Sequence, residues 1–305
     1  MPNTSLQQVI RDIKSLKIQG AEAVAEAAVK ALKEIIHSSK AKDSKDFAKE
    51  MNEAKKKLFS ARPTEPYLRN SLNCAFNWMK GENVRELKEN LFSGVQKTIS
   101  LMQRNREEIV KIGSKKIRKG LVVFTHCHSS TVTAILKAAK KRGVNFTVHN
   151  TETRPRLQGR TTAKELSDAG ISVTHFVDSA GRLALKGADI MLIGADAITS
   201  EGRVINKIGS ELFADIAQKY DIPVYVCTNS WKFDPETIFG FTEEIEERNP
   251  AEVWKNPPKK VKIDNHAFEI ISPELVTGVI TELGIFEPRI LVTEIRREYG
   301  WMIKK

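Results

Sequence analysis

A chain of 305 residues, 41% of them hydrophobic, is long enough to bury the cores of two domains and too apolar to be disordered. No apolar run approaches the roughly 20 residues that cross a bilayer, and Met1-Pro2-Asn3-Thr4-Ser5 has no basic segment followed by an apolar one, so no membrane partner is expected and the expected location is cytoplasmic. The net charge of +11 is spread over runs such as Lys55-Lys56-Lys57 and Lys140-Lys141-Arg142 without interleaved aromatics, which reads as solvated faces and a field for anionic substrates rather than a nucleic-acid surface.

Helical periodicity runs through Leu6 to Ile18, Ala21 to His37, Ser44 to Leu58, Pro66 to Met79 and Val84 to Ile112, with turns near Gly20, Pro63 and Gly81-Glu82-Asn83. Residues 1–112 are therefore expected to form a helical domain. From Gly120 the pattern changes to short β-branched runs at Leu121 to Phe124, Phe146 to Val148, Val173 to Val177, Ile190 to Ile193 and Val224 to Val226. Helical stretches such as Thr131 to Lys140, Thr162 to Ala169 and Ser210 to Tyr220 separate them. That alternation predicts an α/β fold, with a Rossmann-like parallel sheet over residues 113–305. A G-x-G-x-x-G turn and a P-loop are both absent from the sequence, so the sheet carries no dinucleotide fingerprint.

In such sheets ligands bind beyond the C-terminal strand ends. The unusual polar clusters lie there: Thr125-His126-Cys127-His128-Ser129-Ser130, Glu152 to Arg160, Asp178-Ser179 and Gly194-Ala195-Asp196. Three widely spaced cysteines, Cys74, Cys127 and Cys227, make neither a disulfide framework nor a clustered metal site. Cys127 reads either as a small buried hydrophobe or as a reactive thiol, and its place before a helix favours a thiolate. His126 and His128 offer metal donors, but no further ligand is evident, and no metal is expected. Asp196 is either a turn residue or an acid/base exposed in the cleft. Asn206 and Lys207, in the Gly202 to Ser210 loop, and Lys232, in Ser230-Trp231-Lys232-Phe233, are anion-binding candidates or ordinary loop residues. Arg154, Arg156 and Arg160 either clamp a phosphate or belong to a surface loop.

These segments resemble the family that unites archaeal ribose 1,5-bisphosphate isomerases, methylthioribose 1-phosphate isomerases and the α, β and δ subunits of translation initiation factor 2B. The likeness covers nearly the whole chain and rests on Thr125-His-Cys-His-Ser129, Thr151-Glu-Thr-Arg-Pro155, Val177-Asp-Ser-Ala180, Ile193-Gly-Ala-Asp196, Asn206-Lys-Ile-Gly209 and Glu298-Tyr-Gly-Trp301. The initiation-factor subunits resemble T-H-S at the first motif, so Cys127 together with Asp196 implies an enzyme. The Glu152-Thr-Arg-Pro155 and Gln158-Gly159 pattern is most similar to the ribose 1,5-bisphosphate isomerases, which act in nucleoside monophosphate degradation. The alternatives are an initiation factor 2B-like regulatory subunit or a methylthioribose 1-phosphate isomerase.

The resemblance implies Cys127 as the base at C2 and Asp196 as the acid that assists ring opening. It implies substrate contacts from Gln19, Gly20, Ala21, Arg62, Ser129, Asn206, Lys207 and Lys232. It implies no cofactor, a homodimer through the C-terminal domain that can assemble into a homohexamer, and room for a nucleotide activator. One departure stands out: the family's enzymes usually carry Arg-Gly-Ala where this chain has Gln19-Gly20-Ala21.

Overall fold

The computed structural model describes residues 6–242 and 245–303. The chain divides into two compact units between Arg104 and Asn105. That division lies inside a long helix.

The first unit contains α1 (Leu6–Lys14), α2 (Ala21–Ser38), α3 (Ser44–Phe59), α4 (Pro66–Phe76) and the larger part of α5 (Val84–Ser114). On α2 the apolar residues Val24, Ala25, Ala28, Val29, Leu32 and Ile36 recur at helical spacing and are all buried, which sets the face that packs on α4 and its Tyr67, Leu68 and Leu72. Local chemistry sets the ends: the Asp43 carboxylate accepts the Asp46 N–H at 2.8 Å ahead of α3, and Pro66 occupies the first turn of α4.

The second unit is built on β1 (Val122–Thr125), α6 (Ser130–Lys141), β2 (Thr147–Thr151), α7 (Gln158–Asp168), β3 (Ser172–Phe176), α8 (Gly181–Lys186) and β4 (Ile190–Ile193). It continues with β5 (Ala197–Ile198), β6 (Val204–Lys207), α9 (Ser210–Lys219), β7 (Val224–Cys227), β8 (Phe268–Ile271), β9 (Gly278–Thr281), β10 (Gly284–Phe286) and α10 (Pro288–Glu298). The main sheet has the order β10-β9-β7-β4-β1-β2-β3 and is parallel except for β10, which returns antiparallel to β9. Val123, Val148, Ile190 and Leu192 from its strands pack with Ile135 and Leu136 of α6 and Leu166 of α7 in one buried cluster.

The expected α/β architecture is present, with two additions. The Gly202 to Ser210 segment is not a loop, because Val204–Lys207 pairs antiparallel with both β5 and β8 in a separate three-stranded sheet. Four buried residues in a row remove the alternation that announces a strand. The strands after residue 260 are likewise unannounced.

Strand order places the ligand crevice. The chain winds outward from β1 through β2 to β3, then crosses back so that β4 lies on the other side of β1. The carboxyl ends of β1 and β4 therefore flank the switch point, where the outward paths of the connections diverge. Cys127 follows β1 and Asp196 follows β4.

Candidate active site

The site is assembled from the ends of six strands, β1, β2, β3, β4, β6 and β7. His126 is buried directly after β1, and its Nε2–H must be the protonated nitrogen because it faces the Ile208 carbonyl, an acceptor only, at 2.9 Å. Its Nδ1 accepts from the Thr151 hydroxyl at 2.6 Å, and its ring meets Phe213 edge to face at 4.8 Å. Burial holds this imidazole neutral, with its pKa lowered to about 4. Gly209, the last residue of the Asn-Lys-Ile-Gly motif, has φ +98°, and a β-carbon there would lie 3.1 Å from Nε2. The imidazole thus stitches the β1 end to the β6–α9 turn.

Cys127 takes φ +66°, a left-handed conformation that costs a non-glycine residue about 1 kcal/mol or more. Two bonds hold it there. Its amide donates to the Thr153 hydroxyl at 2.9 Å, and its carbonyl accepts from the Thr162 hydroxyl at 2.9 Å. Thr153 is itself left-handed, at φ +63°, and the Asp178 carboxylate accepts the amides of Thr153 at 2.8 Å and Arg154 at 2.7 Å. The turns after β1, β2 and β3 are therefore interlocked around the cysteine.

The structure corrects the electrostatic expectation for this thiol. Burial pushes it up to about 11, against the opposing pull of the Lys207 ammonium, the His128 amide and the Arg248 guanidinium, while the Asp196 carboxylate adds to the rise. A helix start cannot offset that desolvation: Ser129, not Cys127, caps α6, its Oγ accepting the Val132 amide at 3.3 Å. Alkylation of Cys127 by iodoacetamide is accordingly expected to accelerate about tenfold per pH unit from pH 7 to 9. A rate already level across that range would reveal a preformed thiolate.

Asp196 is half-buried, and its amide donates to the Ile205 carbonyl at 2.7 Å. Its carboxylate lies close enough to Cys127 and Lys207 for its charge to act on both groups. Lys207 is buried at the end of β6 with its Nζ over the Phe268 ring, 4.5 Å from the centroid, and burial lowers its pKa. Asn206 beside it donates to the Ser210 hydroxyl at 2.9 Å. Lys232 is buried on the short 3₁₀ turn Ser230–Lys232 and donates to the Ala195 carbonyl at 2.5 Å, one residue before Asp196. Ser129 stands against Gly194, where a β-carbon would come within 2.8 Å of its Oγ.

Gln19, Gly20, Ala21 and Arg62 belong to the first unit. Gly20 precedes α2 at φ +83° and supplies no side-chain cap, and the Arg62 Nε lies 3.5 Å from the Glu65 carboxylate. The three arginines after β2 are exposed and act as loop ties instead of a clamp. Arg154 donates to the Val253 carbonyl at 3.0 Å, Arg156 pairs with Glu252 at 3.3 Å and Arg160 faces Glu152 at 3.6 Å.

Four participants escaped the sequence reading. Thr153 and Thr162 look like ordinary polar residues until the fold closes them on Cys127. Arg248, from Glu246-Glu247-Arg248-Asn249, sits in no periodic pattern, yet its charge reaches the thiol and Lys207. Glu282 anchors the turn that carries Lys232 by accepting the Ser230 amide at 3.1 Å and the Tyr299 hydroxyl at 3.2 Å. Trp231, Tyr299 and Trp301 pack edge to face around it, which gives the Glu298-Tyr-Gly-Trp301 ending a structural reason.

Residues 17–288 match the model of the initiation factor 2 subunit family. The chain belongs to that family. A protein of Thermococcus kodakarensis named ribose 1,5-bisphosphate isomerase is 38% identical over 97% of this chain and 95% of its own length. A methylthioribose-1-phosphate isomerase of Symbiobacterium thermophilum is 33% identical over 93% of this chain and 85% of its own. Among solved structures, a Pyrococcus horikoshii protein described as translation initiation factor eIF-2B superposes with a TM-score of 0.80 at 28% identity, covering 94% of this chain and 98% of that one. No helix among the described residues is long and apolar enough to cross a membrane.

Proposed function

We propose that this family member is a phosphosugar isomerase that converts α-D-ribose 1,5-bisphosphate to D-ribulose 1,5-bisphosphate. The observation that carries the reading is the meeting of a thiol and a carboxylate at the switch point of the sheet, with buried Lys207 beside them. The full-length likeness to proteins named for this reaction selects the substrate.

The resting thiol is protonated, so the chemistry begins with its proton. Transfer of that proton from Cys127 to the Asp196 carboxylate creates both working forms together, a thiolate base and a carboxylic acid. Asp196 then protonates the ring oxygen as the bond from that oxygen to C1 opens. Cys127 removes the C2 proton, the electron pair forms the C1–C2 double bond, and return of the proton to C1 with loss of the C2 hydroxyl proton leaves the C2 ketone. Substrate and product have the same atoms, so neither oxidant nor cofactor is needed. Lys207, Asn206, Lys232 and Ser129 hold the sugar phosphate in this reading.

Incubating purified protein with α-ribose 1,5-bisphosphate and following ribulose 1,5-bisphosphate tests it; absence of turnover sinks it. Gln19 supplies a second test. Gln19→Arg is expected to lower KM for the bisphosphate by roughly three- to tenfold at unchanged kcat, the scale of one added charge-assisted contact. We further propose a cytoplasmic homo-oligomer. Its support is three free cysteines and the exposed Leu212, Phe239, Phe241 and Ile290 of the second unit.

A further inference from the structure

Asp196 stands on the short connection between β4 and β5. The carbonyl of Ala195 and the N–H of Asp196 belong to one rigid peptide group, and that group is gripped at both ends. The Asp196 amide donates to the Ile205 carbonyl at 2.7 Å, beside the ladder in which Ala197 pairs with Ile205. The Ala195 carbonyl accepts from the Lys232 ammonium at 2.5 Å. The first grip is backbone on backbone. The second depends on a flexible four-carbon stem, which holds its ammonium in place only where the turn that carries it is held.

That turn hangs on Glu282, a carboxyl group the chemistry above leaves unused. Glu282 directly follows β9, and its two oxygens divide the work. Oε2 accepts the Ser230 amide at 3.1 Å, while Oε1 accepts the Ser230 hydroxyl and, at 3.2 Å, the Tyr299 hydroxyl. Ser230 is fully buried, so without Glu282 its amide becomes an unsatisfied buried donor. The chain relieves that cost by moving the turn, and a moved turn carries Lys232 away from Ala195.

We propose that Glu282 is a positioning residue for Asp196, acting through the Ser230–Lys232 turn and the Lys232 bond to the Ala195 carbonyl. Its effect on rate rests on the isomerase reading above. Glu282 exchanges no proton with the sugar. It sets where the acid stands, from the far side of the β7 end.

The test is a double-mutant cycle on the full chain, read in kcat because a displaced Lys232 raises KM on its own account. Glu282→Ala is expected to lower kcat on ribose 1,5-bisphosphate by on the order of 10²-fold, the scale of an ångström-sized misplacement. Added to Asp196→Asn, it is expected to lower the remaining kcat by less than about twofold, since the group it positions is already gone. Glu282→Gln keeps the shape and an acceptor for the Ser230 amide, and the two hydroxyls can turn to accept from its NH₂, so kcat is expected within about fivefold of wild type. Glu282→Asp, the milder variant should alanine fold poorly, is expected to lose about tenfold with the same non-additivity. Damage to the fold alone multiplies the Asp196→Asn loss, so a further tenfold fall in the double variant overturns the assignment. A Glu282→Ala kcat within about threefold of wild type overturns it too.

Alkylation of Cys127 by iodoacetamide at pH 8 supplies a readout that needs no turnover. The Asp196 charge raises the thiol's pKa, so Asp196→Asn is expected to speed alkylation roughly threefold. Glu282→Ala is expected to shift the rate the same way, and the double variant to match Asp196→Asn. Additive effects on that rate, or none from Glu282→Ala, overturn the assignment. A wild-type protein that fails to turn over the bisphosphate defeats the isomerase reading instead, and the alkylation cycle still reads Glu282 directly.

Discussion

Cys127→Ser is expected to lower kcat on ribose 1,5-bisphosphate by on the order of 10³-fold while KM changes little, with Asp196→Asn giving a loss of similar size. Serine keeps the shape of the side chain and the left-handed turn, so the Thr153 and Thr162 bonds to the residue 127 backbone survive. Its hydroxyl is a far weaker acid than a thiol. Asparagine likewise keeps the shape of Asp196 and cannot take up the thiol proton. Because one proton transfer links the two residues, the double variant is expected to be scarcely worse than either single variant. Initial rates measured by ribulose 1,5-bisphosphate formation decide the matter. Turnover within a few-fold of wild type in either single variant would remove that residue from the reaction.

Acid is expected to destabilise the fold through His126 by about 3 kcal/mol. The sign follows from proton uptake. The folded imidazole has its pKa lowered to about 4 by burial, whereas the unfolded one keeps the ordinary 6.5. Between those values the unfolded chain binds a proton that the folded chain does not. The stabilisation is therefore complete above pH 6.5, declines as pH falls, and is lost by about pH 4. Urea denaturation at a series of pH values, compared with a His126→Gln variant, isolates this contribution. Equal pH dependence in the two proteins would show that the imidazole is not held neutral in the fold. Protonation would also turn Nδ1 into a second donor facing the Thr151 hydroxyl, so the stitch between the β1 end and the β6–α9 turn loosens along with global stability.

Much of the architecture was legible because it follows from spacing. Helices such as Ala21–Ser38 show their buried face at every third or fourth residue, and strands such as Ile190–Ile193 appear as apolar runs between turns. Val204–Lys207 was not legible as a strand. It is buried throughout, and its pairing with β8 joins residues more than sixty positions apart. The arginines after β2 were misleading for the opposite reason: a local cluster of charge suggested a clamp, but the partners of Arg154 and Arg156, Val253 and Glu252, come from a distant segment.

For the site, the sequence by itself determined which groups stand at the ends of strands, Cys127 after β1 and Asp196 after β4, and supplied motifs specific enough for the family. The tertiary structure alone decided that these ends are neighbours, because adjacency depends on strand order and the return crossover from β3 to β4 leaves no trace in local periodicity. It also decided the protonation state of the thiol. A helix start in the sequence argues for a thiolate. Desolvation, which depends on everything packed around the sulfur, outweighs it and keeps the proton on Cys127.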